Sequence, residues 1–512
     1  MNSIKSYIFI VFTIILSKIS GLIRDITIAR YFGVGFSTDS VLISFRIINI
    51  FKNILIEEIF CQAFYLTILD YKSSKDNKFT RNFISMMYGI ILIISAILFI
   101  IILLIPEIIV KFVVPGFIGK IEKFKLTVFL LKLISPYILI SSFSSLNNII
   151  LNTWNKFFIS YLIPIILNLS IVFSIMFISN HLNKKIISIG VGVILGGLAQ
   201  ILFQIFYLKK INMTTFPIIS FKHDGIHKIL KIMKFTTAES IINQLSSYAN
   251  IILISFLENG SVSWIYYSSR ITEIPTGILN ILLNIFFKSK IDINLTNKNY
   301  CKSESFIFHG VKLCFLFSLP CTVIFICLSE QIISFLFEYR SFNNHDMKMI
   351  EKSLILYSIG IISFVLTKSL NFVLHLKNKI KDSIRLLIFI TIISQIMNYY
   401  FIQKFQYIGL ILSIIISSYL RTLLLFCKLK KEKILKLSLN FCIFVFKVIF
   451  SSFFMYITMS FLKKNVLEII FCSSLRKEIF EIPITITVGL IVYFSSLSVF
   501  RISFKKLLKF IL

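Results

Sequence analysis

Between Ser17 and Phe64 an otherwise apolar stretch carries Lys18, Arg24, Asp25, Arg30, Asp39, Arg46, Lys52, Glu57 and Glu58. A second charged set, Arg270 and Glu273, lies in GSVSWIYYSSRITEIPTG at 260–277, beside Pro275 and Gly277. Residues three apart share one face of a helix. A charge at membrane depth costs a few kcal/mol or more, so it persists where it faces a water-filled cavity or a charged ligand. Kink-forming residues explain the proline and glycine near Arg270 but not the charges. The chemistry expected of both sets is recognition of an anionic substrate in a cavity that they line.

The elements that must position these residues are membrane spans. The chain has 512 residues, is 57% hydrophobic and has a mean hydropathy of +0.89. A soluble protein of this length cannot hide so much apolar side chain. Apolar segments long enough to span recur near 4–28, 36–64, 82–105, 126–152, 159–179, 186–207, 228–257, 262–288, 306–328, 353–375, 384–402, 407–427, 439–461 and 480–503. The sequence therefore predicts an all-α polytopic membrane protein of about fourteen transmembrane helices. The first apolar run has no small-residue cleavage site and reads as a retained span.

The net charge is +31. In a soluble chain that would suggest nucleic acid. Here the basic residues cluster in loops between spans, as the positive-inside rule expects, so no nucleic-acid partner is implied. Loops after even-numbered spans hold Lys72, Lys75, Lys78 and Arg81, then Lys209, Lys210 and Lys222, then later runs including Lys428, Lys430 and Lys431. That side carries roughly 27 positive charges against roughly 15 on the other. Both termini are therefore expected in the cytoplasm, and some of the basic residues on anionic lipid headgroups.

Eight cysteines, Cys61, Cys301, Cys314, Cys321, Cys327, Cys427, Cys442 and Cys472, fall mostly in apolar runs without a CxxC pair. They read as small hydrophobes. The six histidines are scattered, so no metal-ligand cluster and no cofactor are expected.

The connection FYLKKINMTTFPIISFKHDGIHKILK divides the chain into two halves of six spans. The second span opens at Gly35 and reaches Arg46 and Asn49; the eighth opens at Gly260 and reaches Arg270 and Glu273. Parallel repeats around a central cavity are a common transporter plan. The expected domains are a six-helix lobe over 1–215, a second over 216–432, and two further helices over 433–512. No loop exceeds about 25 residues and no paired acidic motif is present, which argues against a membrane glycosyltransferase. No repeated filter motif suggests a channel.

At SKISGLIRD (17–25), ARYFG (29–33), TDS (38–40), QAF (62–64), VPGF (114–117), LNTWNKF (151–157) and the 260–277 stretch, the chain resembles the MurJ (MviN) lipid II flippase family of the MOP exporter superfamily. The resemblance runs along essentially the whole length. It implies two six-helix lobes around a cationic cavity, with two extra helices forming a hydrophobic groove. It also implies a transporter, not an enzyme, moving lipid-linked peptidoglycan precursor to the outer leaflet of the bacterial cytoplasmic (inner) membrane. Such a protein would serve cell wall biosynthesis and act as a monomer. The alternatives within the superfamily are an O-antigen-type flippase and a cation-coupled multidrug exporter, the latter favouring acidic cavity residues.

The implied substrate joins an undecaprenyl tail to a disaccharide-pentapeptide through a pyrophosphate. Lys18, Arg24, Lys52 and Arg270 are the expected pyrophosphate ligands. Asn49, Ser17 and Thr38 are available to the sugar and peptide. Asp39, Glu273, Asp25 and Glu57 are the expected charge partners, holding the cations apart in the empty cavity. Trp264, Tyr266 and Tyr267 are expected in an interfacial aromatic belt. The family usually has arginine at Lys18 and Lys52, proline at Ile48 and glycine at Glu58, and glycines and proline where this chain has NILLNIFFK (280–288). The lysines keep the charge but lose bidentate geometry. The acidic sodium site of some relatives is not evident around Asn371, His375 and Asp382.

Overall fold

A computed structural model describes residues 2–53, 60–74, 76–220, 223–296, 300–338, 342–377, 379–432, 439–467 and 477–502. Glu57, Glu58, Cys472 and the basic residues Lys75, Lys222, Lys298, Lys433, Lys436, Lys505, Lys506 and Lys509 lie outside them. The described residues form α-helices and short 3-10 or π turns. Two compact units result, Met1–Ser263 and Trp264–Leu512.

In the first unit run α1 (Asn2–Phe32), α2 (Phe36–Lys52), α3 (Phe60–Ser74), α4 (Asn77–Leu104), α5 (Pro106–Val113), α6 (Ile121–Ile134), α7 (Pro136–Thr153), α8 (Phe157–Phe173), α9 (Ile187–Lys210) and α10 (Asp224–Ser255). Helix α11 (Ser261–Thr296) starts in this unit and continues into the second. There follow α12 (Tyr300–Cys327), α13 (Ser329–Phe337), α14 (Asn344–Leu376), α15 (Ile380–Lys431), α16 (Leu439–Leu462) and α17 (Lys477–Val499).

Eight helices among the described residues are long and apolar enough to cross a membrane, and α6 with α7, bent by 45°, makes a ninth candidate. This is a count of the described residues alone, and residues 54–59 of the span expected over 36–64 lie outside them. At 31, 32 and 36 residues, α1, α10 and α11 are also long enough to span. Helix α15 also counts once although Gln406 (φ 51°, ψ −130°) breaks it into two legs, 380–405 and 407–431.

Small residues set the packing in the first unit. A Cβ on Gly192 would lie 2.8 Å from Ile171 Cα, and one on Gly196 would lie 2.9 Å from Ser170 Cβ. This small-xxx-small spacing lets α9 and α8 approach closely, as in membrane helix pairs generally. Ser170 Oγ donates to the Gly192 carbonyl at 3.0 Å across the same seam. In the second unit, Leu313, Ile361, Val365, Leu370 and Leu425 form an apolar core of α12, α14 and α15. Helices α16 and α17 pack through Val448, Met455, Met459, Tyr493 and Leu497.

Past α9 the chain becomes an extended strap, 213–220, laid on α4. Ile218 N–H donates to the Ser85 carbonyl at 3.0 Å, Ser85 Oγ donates to the Phe216 carbonyl, and Arg81 Nη2 donates to the Thr214 carbonyl at 3.1 Å. A Cβ on Gly89 would stand 2.2 Å from the Ile218 carbonyl oxygen. Gly89→Ala is therefore expected to cost about 1–3 kcal/mol of overpacking, read as faster proteolysis of the strap.

His223 caps α10: its Nδ1 accepts from Gly225 N–H at 3.0 Å. Its ring sits among Phe79, Phe83 and Tyr71. Burial holds its pKa below the usual 6.5, against the opposing pull of Asp224. The unfolded segment thus binds a proton that the folded cap resists. The stabilisation is complete above about pH 6.5 and is lost as pH falls below it. Hydrogen exchange in the first turn of α10, corrected for intrinsic rate, should be faster at about pH 5.5 than at about pH 7.5. His223→Asn, which caps without titrating, should remove the difference.

Candidate functional site

Helix α1 presents Ser17, Ser20 and Arg24 toward α8. Ser20 Oγ donates to the Ser17 carbonyl at 2.8 Å and accepts from Asn168 Nδ2 at 3.0 Å. Asn168 Oδ1 in turn accepts from Arg24 Nη1 at 3.1 Å. Arg24 also donates from Nε (2.9 Å) and Nη2 (2.6 Å) to Asp25 Oδ1. Asp25 is buried and Arg24 half-buried. The guanidinium is thus fixed by two acceptors from different helices, which leaves it little rotamer freedom to lose on meeting an anion.

Lys18 and Lys52 are half-buried, and Asn49 is exposed near the end of α2. Direct contacts join Ser17, Arg24 and Asp25 into one chain of bonds through Ser20 and Asn168. Thr38 is buried, its hydroxyl donating to the Gly33 carbonyl at 2.8 Å. Its side chain is therefore committed to the α1–α2 turn rather than offered to a sugar.

Asp39 has a partner that sequence reasoning missed. It is fully buried, and Lys123 of α6, 3% exposed, places Nζ 2.7 Å from Oδ2. Oδ2 also accepts from Gly260 N–H at 2.8 Å. Oδ1 accepts from Ser263 N–H at 3.1 Å and Ser263 Oγ at 2.7 Å. Lys123 Nζ reaches Asn259 Oδ1 at 3.1 Å and sits 4.3 Å from the Phe117 ring centroid. The carboxylate therefore caps the positive N-terminal end of α11 from another helix. Gly260, at φ 96°, makes the turn that aims these N–H groups. Serines allow the approach of α2 and α6: Ser40 Oγ and Ser44 Oγ lie 3.4 and 3.2 Å from the Lys123 and Thr127 carbonyls.

In the second unit Arg270 Nη1 meets Glu273 Oε2 at 2.8 Å, with the two side chains 38% and 49% exposed. Arg270 Nε donates to Tyr266 Oη at 3.2 Å, and the guanidinium carbon lies 5.2 Å from the Tyr266 ring centroid. The ion pair is thus partly exposed on an otherwise apolar helix.

The aromatic belt expected of Trp264 and Tyr267 is corrected by burial: they are 3% and 1% exposed. Trp264 Nε1 donates to Asp346 Oδ1 at 2.9 Å, and its ring packs on Tyr407 and His345. Tyr267 packs at a tilt against Phe337 and Phe342. An indole N–H satisfied by a carboxylate needs no interfacial water. Tyr266, half-buried, supports Arg270.

The family model described as lipid II flippase MurJ matches residues 28–477. The chain belongs to the MurJ lipid II flippase family. It is 35% identical over 449 residues to a probable lipid II flippase MurJ of Buchnera aphidicola subsp. Schizaphis graminum (strain Sg), covering 88% of this chain and 87% of the relative. It is 29% identical over 441 residues to the lipid II flippase MurJ of Burkholderia cenocepacia, covering 85% of each. Among solved structures it resembles a lipid II flippase MurJ in an inward closed conformation, at a TM-score of 0.78 and 24% identity, covering 96% of this chain and 98% of that one. It also resembles an inward-facing multidrug resistance MATE transporter of the MOP superfamily, at a TM-score of 0.66 and 14% identity, covering 82% of this chain and 94% of that one. Both structures share its fold. The chain is thus an all-α, multi-pass membrane protein of a flippase family, and the motif at 260–277 acquires a geometry: Gly260 and Ser263 meet Asp39, while Arg270 meets Glu273.

Proposed function

We propose that this protein carries lipid II from the inner to the outer leaflet of the cytoplasmic membrane by alternating access, without catalysing a reaction. Arg24, Arg270, Lys18 and Lys52 hold the pyrophosphate, with Asn49 and Ser17 meeting the sugar and peptide. The observation that supports this most is the partly exposed Arg270–Glu273 pair, whose guanidinium is oriented by Tyr266. A phosphate oxygen competes with Glu273 for the same N–H groups. Glu273 therefore keeps the cation in place when the site is empty and takes it back on release. The lobes of the transporter comprise 1–215 and 216–432. The helices of 433–512 offer the polyprenyl tail an apolar groove. A net cationic set disfavours export of cationic drugs. The protein acts as a monomer with both termini in the cytoplasm, and the membrane potential, worth about 2.3 kcal/mol per charge per 100 mV, drives the return step.

The purified full chain should bind lipid II, and Lys18→Ala and Arg270→Ala should each weaken that binding. Undiminished binding by both variants would overturn the reading.

A further inference from the structure

We propose that the first unit holds an anionic phospholipid in a second site, apart from the charged residues assigned to lipid II. The site is a cavity of about 510 Å³ bounded by α4, α7, α9 and the strap. Its walls are apolar, chiefly Phe143, Ile201, Ile205, Leu208 and Pro217. Ile201, Ile205 and Leu208 share one face of α9. Its size lies within the range of small-molecule pockets.

One end of the cavity is polar. Lys209, Thr214 and Thr215 line it, and Arg81 reaches the Thr214 carbonyl. Lys210, the next residue of α9, places Nζ 4.4 Å from the Phe206 ring centroid. Among the described lining residues there is no carboxylate. The Thr215 hydroxyl oxygen is buried with no hydrogen-bond partner among the described residues. The deeper polar groups are already matched: Tyr88 Oη donates to Asn147 Oδ1, and Asn147 Nδ2 donates to Gln204 Oε1 at 3.0 Å.

The surroundings identify a lipid rather than a soluble anion. The strap exposes Phe216 (89%), Ile218 and Ile219, and α9 exposes Leu198, Leu202 and Phe206 beside the cavity. Such apolar surface next to Lys209, Lys210 and Arg81 matches the boundary between acyl chains and phosphates. The phosphate sits on Lys209 and Arg81, and an acyl chain enters between α4, α7 and α9. The strap, pinned to α4 by Ser85, closes the pocket on one side.

The test uses the full chain in nanodiscs with acyl-chain diazirine probes of phosphatidylglycerol and phosphatidylcholine, cross-links being mapped by mass spectrometry. Cross-links from phosphatidylglycerol should concentrate on α4, α7 and α9 and exceed those from phosphatidylcholine. Ile201→Trp, which fills the cavity, should abolish that concentration. Lys209→Gln should weaken phosphatidylglycerol labelling about fivefold, the equivalent of about 1 kcal/mol per basic residue near an anionic surface, and leave phosphatidylcholine unchanged. Lys209→Gln alters only an exposed side chain, so it remains informative if Ile201→Trp fails to fold. Labelling spread evenly over lipid-facing helices, equal labelling by both lipids, or indifference to Lys209→Gln would overturn the proposal.

Discussion

Asp39→Ala is expected to destabilise the first unit by about 3–5 kcal/mol, the cost of leaving a buried partner charge uncompensated. The removed carboxylate accepts from Lys123, Gly260 and Ser263 at once. Its loss strands a nearly buried ammonium and uncaps α11. Lys123→Ala should cost a comparable amount, because it leaves the carboxylate with helix N–H groups but no counter-charge. The double variant should cost clearly less than the two single variants added together, since their effects share one contact. Asp39→Asn should fall between wild type and Asp39→Ala: its amide oxygen can still accept from α11, while its NH2 group opposes Lys123. Thermal unfolding midpoints of the detergent-purified variants, with lipid II binding measured in parallel, decide what Asp39 does. Loss of binding at an unchanged midpoint would make Asp39 a ligand-facing residue and refute the structural tether.

That tether marks the limit of what the sequence made legible. The charges on α1 and α11 stood out because nothing about a lipid-facing helix requires them. Arg270 and Glu273 could be paired from spacing alone, since the helix repeat settles which residues share a face. The distant partners could not. Lys123 lies 84 residues from Asp39, between Lys120 and Lys125, with nothing local to single it out. Asn168 lies 144 residues from Arg24 inside an apolar span. Only packing brings such pairs together. Hydrophobicity likewise did not distinguish lipid-facing aromatics from buried ones, so Trp264 was expected at an interface although Asp346 receives its N–H inside the unit. The apolar runs predicted a polytopic helical protein correctly, and the break at Gln406 falls between the two spans expected at 384–402 and 407–427.

Arg270→Ala, by contrast, is expected to leave stability nearly untouched and to abolish function. An ion pair as exposed as Arg270–Glu273 contributes little to folding, on the order of 0–1 kcal/mol. In the proposed site the same partly exposed guanidinium engages the pyrophosphate of lipid II. Losing two charge-assisted hydrogen bonds there should cost about 3 kcal/mol, roughly a hundredfold in affinity for lipid II. Arg270→Lys should recover only part of this, because an ammonium keeps the charge without the planar fork. Glu273→Gln separates binding from release. Removing the competing carboxylate should preserve or tighten lipid II binding and yet slow transport, since nothing then draws Arg270 away from the phosphate. The checks are growth of a flippase-depleted strain, with expression levels matched, and lipid II affinity of the purified variants. Normal growth on well-expressed Arg270→Ala would sink the assignment. Growth loss with unchanged affinity would move Arg270 from the binding step to a later step of the cycle.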